Sequence, residues 1–216
     1  MRKTHPPKSR TIPPEGRKKA PLKTLQSQPV SNPLHRPSAD VAATPRAVVR
    51  LLRESDPIAE ITGLLHRAYA KQVAMGLAPL AGRQDDATTF KRVHSGECYL
   101  ATLPDPASVR GEKIVGTILF HEVEDAKGPP WFGNPHVDSF SQFAIDPDIQ
   151  GQGLGGLMLD KAESRARECG AVELACSMAE PDTALMQWYL KRGYRFIEHW
   201  QWPYTNYRSA ILSKTL

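Results

Sequence analysis

Apolar residues fall into two kinds of rhythm after position 47. Val48 to Leu52 form a short apolar run that reads as a strand. Ile58, Ile61, Leu65 and Ala68 then recur at helical spacing, so one face of a helix packs on something. Asp56-Pro57 opens that helix, with Asp as the N-cap and Pro at the first helical position. A second helix is expected from Asp86 to His94, stopped by Gly96. Strand-like runs follow at Cys98–Leu103, Ile114–Glu122 and Val137–Ile145, the last ended by Asp146-Pro147. Leu154, Leu157, Met158 and Ala162 share a helical face up to Gly170, and Val172–Cys176 returns to strand. A last helix runs from about Thr183 to Lys191, closed by Gly193, before strand material at Tyr194–Trp200 and Ser209–Ser213. The order is strand, two helices, three strands, helix, strand, helix, two strands. The fold class this implies is α/β, one mixed sheet with helices on both faces.

Composition divides the chain in two. Residues 1–46 hold ten Lys/Arg against Glu15 and Asp40, a charge of +8, and nine of the 19 prolines. Such a segment buries too little apolar surface to offset the entropy of ordering, so it reads as a disordered basic tail. Residues 47–216 form the folded domain, with 18 basic and 21 acidic residues. The basicity of the chain therefore belongs to the tail. Clusters such as Arg17-Lys18-Lys19 leave a nucleic-acid contact open, although no aromatic side chain is interleaved for base stacking. No apolar run reaches the roughly 18 residues that span a bilayer, and no secretory apolar segment is present, so the expected location is the cytosol, without a membrane partner. Cys98, Cys169 and Cys176 lack metal-ligand spacing and read as buried thiols; no metal is expected.

The most informative stretch is Gln150-Gly151-Gln152-Gly153-Leu154-Gly155-Gly156, between a strand and a helix. Four glycines in six positions let main-chain N–H groups approach a ligand closely. The first turn of the helix adds unpaired donors and partial positive charge, which together suit a phosphate or pyrophosphate. Gly151, Gly153 and Gly156 also fit the dinucleotide pattern G-x-G-x-x-G. That reading requires the first glycine directly after the strand and an acidic residue at the end of the next strand. Here Asp146 to Gln150 intervene, and Glu173 stands at the start of the following strand.

Read from Gln150, the segment Gln150-x-x-Gly153-x-Gly155 resembles the coenzyme-A pyrophosphate loop of the GNAT acyltransferase superfamily. Phe143-Ala144-Ile145-Asp146-Pro147 is similar to the end of that family's fourth strand, whose backbone pairs with the pantetheine arm. Trp188-Tyr189-Leu190-Lys191-Arg192-Gly193-Tyr194 is similar to its late signature, a Tyr four residues before a Gly-aromatic pair. The two motifs lie 39 positions apart, from Gln150 to Tyr189. The resemblance implies acetyl transfer from acetyl-CoA, used as co-substrate, to an amine of a small molecule or peptide in one direct step. It implies cofactor contacts at Phe143, Ala144 and Ile145, along the loop from Gln150 to Gly156 (Gly151, Gln152, Gly153, Leu154 and Gly155 included), and at Asp182. It makes Tyr189 the acid that protonates the departing thiolate, and N–H groups near Ala144 or Ile145 the carbonyl polarisers. The family often has Asn where Asp182 stands; Asp keeps the acceptors, loses the donors, and suits an N-cap at Thr183.

The general base stays open. Alternation places Ser139, Ser141, Phe143 and Ile145 on one strand face, with Asp138 on the other. His121, Glu122 and Glu124 stand near the end of an earlier strand, and a water chain to solvent is a further route. The aromatic runs His199–Tyr204 and Gly128–Phe132 either line an acceptor pocket or cover the sheet end. Two rival readings remain: a coenzyme-A-binding sensor without turnover, and a nucleic-acid tether acting through the tail. A homodimer is also left open.

Overall fold

The computed structural model describes residues 47–123 and 127–216. The basic segment read as a tail, and Glu124, lie outside the described residues. The elements are β1 (Val48–Leu51), α1 (Ile58–Ala74), α2 (Asp86–Val93), β2 (Glu97–Pro104), β3 (Glu112–His121), β4 (Val137–Ile145), α3 (Leu154–Glu168), β5 (Glu173–Ala179), α4 (Thr183–Leu190), β6 (Arg195–Trp200) and β7 (Ser209–Thr215). Their order is the one expected from the apolar pattern. They build a seven-stranded mixed sheet in the order β1-β2-β3-β4-β5-β7-β6. Neighbours are antiparallel except β4 and β5, which run parallel with α3 as their crossover.

Apolar side chains from both faces of this sheet are buried. On one face, Ile61, Leu64 and Leu65 of α1 pack with Leu100, Ile114 and Leu119 of the sheet. On the other, Met158, Leu159 and Ala162 of α3 pack with Ile118, Phe120 and Leu174, and Tyr189 of α4 joins them. Each fully buried Leu or Ile contributes on the order of 1.5–3 kcal/mol relative to exposure, which fixes the helices to the sheet.

Two local expectations are corrected. Asp56 does not cap α1. The helix starts at Ile58, its cap position is Pro57, and that cap has no side-chain hydrogen bond. The Asp56 carboxylate is instead gripped by both arms of Arg50 at 2.8 Å and by the Arg53 N–H at 2.7 Å. A bidentate charged pair outcompetes a single main-chain donor. The second correction concerns β4. Thr117 pairs with Ala144 but Leu119 with Ser141, so Gln142 and Phe143 together face Ile118 across a bulge. Gln142 has φ of +47°, and the extra residue switches the alternation. Phe140, Phe143 and Ile145 consequently reach the α3 face, while Ala144 joins the α1 face. Phe143 and Ile145 do not share a face with Ser139 and Ser141.

Candidate active site

Asp146 sets the path of the chain out of β4. Its carboxylate takes Arg67 of α1 at 2.9 Å and the Asp148 N–H at 3.2 Å. Burial pushes this carboxyl up, but Arg67 and the Asp148 amide hold it below the usual carboxylate range. A short 3₁₀ turn, Pro147–Ile149, then leads into the glycine segment. Gly151 and Gly153 have φ of +80° and +85°, a left-handed conformation that L side chains rarely adopt. Gly153 is the N-cap of α3, and no side chain caps that helix. The amides of its first turn are thus left to a ligand or to water. A Cβ at Gly151 or Gly153 would meet no atom within 4 Å, so the space above the loop is open. Gln152 is exposed and Leu154 anchors the turn in the core. The Gln150 side chain folds back to donate to the Ile145 carbonyl at 3.1 Å.

A gap in the sheet lies beside this loop. β4 and β5 stay in register only from Val137/Glu173 to Phe140/Cys176, although β4 continues to Ile145 and β5 to Ala179. Ala144 pairs with Thr117 of β3, and the Asp146 N–H bonds to Val115. By strand alternation the amides of Phe143 and Ile145 turn away from β3, toward the gap. Consistent with this, the Tyr69 hydroxyl donates to the Phe143 carbonyl at 3.4 Å, and Gln150 reaches that of Ile145. The gap opens into a cleft of about 1830 Å³ that includes Phe143, Ala144, Ile145, Gln150, Gly151, Gly153, Leu154, Gly155, Gly156, Asp182 and Tyr189 in its walls. Apart from Gln152, the structure brings the sequence-derived site residues together.

Tyr189 is 4% exposed and stacks edge-on against Trp188 and Tyr194. Burial first, then the neighbouring Cys176, raises its phenol well above the ordinary range, so its O–H stays on. Burial also pushes the Cys98 thiol up to about 11 and Cys176 higher still, as expected of inert buried thiols. The proton acceptors separate cleanly. His121 faces the cleft, with Nε2 3.2 Å from the Ser141 hydroxyl. Glu122 turns to α3, where Arg165 lies 3.5 Å away. Asp138 accepts the Val123 N–H at 3.1 Å. Asp182 caps α4 by accepting the Leu185 N–H at 3.2 Å, as its position before Thr183 suggested. Its other oxygen takes the Gln72 amide of α1 at 3.1 Å. Of the aromatic runs, Trp131, Trp200 and Trp202 pack over Ala175 and Ile211 and so cover the sheet, while Phe132, Trp202 and Tyr204 line the cleft.

Sequence reasoning missed Tyr69, Gln72, Gln84, Arg92 and Gln142. Arg92, in the last turn of α2, donates to Gln84 Oε1 at 2.6 Å, and Gln84 Nε2 donates to Gln142 Oε1 at 2.9 Å. The signal for Tyr69 and Gln72 was present: both continue the apolar face of α1 begun by Ile61 and Leu65, where a polar tip needs a partner. No local pattern marked the other three.

The sequence model of the Acetyltransferase (GNAT) family matches residues 62–194. Among solved structures, the chain is similar to the IAA acetyltransferase from Bacillus cereus at 17% identity, over 79% of this chain and 100% of that one, with a TM-score of 0.52. It is similar to a GNAT family acetyltransferase from Elizabethkingia anophelis with acetyl-CoA bound, at 16% identity over 79% and 98% of the two chains, TM-score 0.50. The ribosomal-protein-S18-alanine N-acetyltransferase from Escherichia coli aligns at 14% identity over 79% and 94%, TM-score 0.56. No curated protein matches the sequence.

Proposed function

Because this chain belongs to the GNAT family of acetyltransferases, we propose that it moves the acetyl group of acetyl-CoA directly to an amine of a small molecule or peptide. The observation that carries this reading is the single cleft in which an uncapped, glycine-opened helix start adjoins an unpaired strand edge and a buried phenol. In this reading the folded domain is residues 47–216. The first-turn amides of α3 hold the pyrophosphate, and the pantetheine arm pairs with β4 at Phe143 and Ile145. Asp182 orients the arm only through its acceptor oxygens, since Asp has no N–H to offer.

A primary amine with a pKa near 10.4 must lose a proton to become nucleophilic, at a cost of about 4–5 kcal/mol at pH 7. The amine nitrogen attacks the thioester carbon, and the Ile145 N–H stabilises charge growing on its oxygen. The C–S bond breaks and the thiolate takes the Tyr189 proton; the amine proton leaves through His121 and Ser141 to solvent, and Tyr189 regains a proton from solvent, which closes the cycle. A phenol kept protonated by burial suits the donor role over the working pH range. The test is thiol release from acetyl-CoA across polyamines, amino acids, aminoglycosides and peptide N-termini, with products checked by mass. Acetyl-CoA binding by calorimetry together with at least one N-acetylated product is expected. Binding without any acetylated product would leave a sensor, and no binding would remove the reading.

A further inference from the structure

Arg92 differs from the other buried or half-buried arginines of the domain. Arg50, Arg110 and Arg165 each meet carboxylates: Asp56, Glu60 and Glu97 respectively. Arg92 faces the cleft and donates to the neutral Gln84; among the described residues it forms no ion pair. A guanidinium can only donate, so this one contact dictates a chain of orientations. Gln84 must present its oxygen to Arg92, and its nitrogen therefore goes to Thr89 and to Gln142. Gln142 must then present its oxygen to Gln84. Among the described residues its Nε2 has no hydrogen-bond partner, although the residue is only 3% exposed and lines the cleft. The bulge that gives Gln142 its φ of +47° is what sets the residue on this side of β4.

Among the described residues, two donor groups that line the cleft thus lack an acceptor: the remaining N–H groups of Arg92 and the amide nitrogen of Gln142. Leaving a half-buried cation without a counter-ion and a buried donor unmade is costly, and an entering anion relieves both at once. Burial lowers the Arg92 pKa, partly offset by Tyr69 and Tyr204, which line the same cleft. A guanidinium edge and one amide N–H match the planar, two-oxygen shape of a carboxylate.

We propose that the acceptor is an amine that also carries a carboxylate, with Arg92 and Gln142 gripping the carboxylate while the amine points along the cleft to Phe143 and Ile145. This substrate class rests on the acetyl-transfer reading and narrows it from amines in general to amino-carboxylates. Gln84 acts as a positioning residue, since it aims both donors without facing the ligand itself.

The experiment compares each of the common amino acids with its carboxamide, its decarboxylated amine and, where one exists, its phosphonate analogue. Two measurements are made: kcat/KM with saturating acetyl-CoA, and calorimetric binding to the coenzyme-A-loaded protein. The carboxylated member should exceed its carboxamide by about 10- to 100-fold, the range of a charge-assisted hydrogen-bonded pair. In Arg92→Gln that ratio should fall toward one. Gln142→Glu keeps the acceptor that Gln84 needs and the size of the side chain, but sets an anion beside Arg92; it should reduce or invert the ratio. Melting curves accompany both, and if Arg92→Gln does not fold, Gln142→Glu decides. A ratio near one in the wild-type protein, an unchanged ratio in the folded variants, a preference for phosphonates, or carboxylates that neither react nor bind would each overturn the proposal. Acetyl-CoA binding and turnover of other amines would survive that outcome. A chain that does not bind acetyl-CoA would instead bring down the acetyl-transfer reading itself.

Discussion

On the α3 side of the gap the cleft wall is main chain: Gly151 and Gly153 at positive φ, an uncapped helix start, and the free edge of β4. On the α1–α2 side it is side chain: Tyr69, Gln72, Arg92, and Gln142 held through Gln84. The two walls face one cleft and, in the proposed reading, do different work. Main-chain amides suit a ligand part that never varies, because they need only the right backbone path. Side-chain networks suit a part that distinguishes one acceptor from another, because single substitutions re-aim them. Breaking each wall separately should therefore affect cofactor and acceptor differently.

The largest effect is expected at Gly153. Gly153→Asp places a carboxylate where, in the proposed reading, the first-turn amides hold phosphate, and forces a non-glycine residue to φ of +85°. Acetyl-CoA affinity by calorimetry should fall by more than about 100-fold. Gly153→Ala separates the two causes. It meets no atom within 4 Å, so only the backbone strain of about 1–2 kcal/mol remains. If Gly153→Asp binds as well as Gly153→Ala, the loop does not hold the pyrophosphate.

Next is a stability effect confined to the α1 side. Asp56 is held by Arg50, the Arg53 amide and Arg110, and its side chain is 2% exposed. Asp56→Ala leaves Arg50 with Glu112 as its remaining carboxylate and the Arg53 amide without its acceptor, and should cost about 2 kcal/mol in urea unfolding. Burial raises this carboxyl, but Arg50 and the Arg53 amide outweigh it and hold it below the ordinary carboxylate value. A lowered folded pKa means the stabilisation is complete above the unfolded value of about 3.9 and is lost as pH falls through the folded one. The wild type should lose stability below about pH 4 more steeply than Asp56→Ala.

Tyr189→Phe should lower kcat by about 10- to 100-fold while acetyl-CoA affinity stays the same. The raised phenol pKa adds a sign: the wild-type kcat should rise with pH as the amine deprotonates, without a falling limb from Tyr189 until well above its ordinary value of 10.0. Equal turnover in the variant would make the ring a packing partner of Trp188 and Tyr194 and nothing more.

What the sequence disclosed follows the same division. The glycine segment, the Tyr189 signature and the strand end at Ile145 are contiguous, so their chemistry is legible from local spacing. The order of elements was legible too, because helical and strand periods differ along the chain. The bulge at Gln142 was not. One extra residue leaves no mark in composition, yet it switched Phe143 and Ile145 to the face opposite Ser139 and Ser141. The Asp56 cap failed for a related reason: Arg50 precedes it by six residues, a separation that carries no helix-start signal, and the pair forms only when β1 is in place. Arg92, Gln84 and Gln142 come from three separate segments, and only the fold makes them neighbours.

The smallest predicted effect probes the join between the walls. Gln72 of α1 donates to Asp182, and Asp182 caps α4, the helix that carries Tyr189. Gln72→Met keeps length and apolar packing but leaves one buried carboxylate oxygen with less hydrogen bonding, at a cost of about 1 kcal/mol. Were the walls independent, that loss would appear only as a lower melting temperature. If the hydrogen bond sets the width of the gap, KM for acetyl-CoA should also rise, by roughly 2- to 5-fold, because the cap on α4 and the edge of β4 then shift together. Asp182→Asn sharpens the result, since Asn can still cap α4 and offers the N–H that Asp lacks. Tighter acetyl-CoA binding in Asp182→Asn, together with weaker binding in Gln72→Met, would place the boundary between the main-chain and side-chain walls at this pair. Unchanged binding in both would mean that α1 can be altered to suit a new acceptor without disturbing the coenzyme groove.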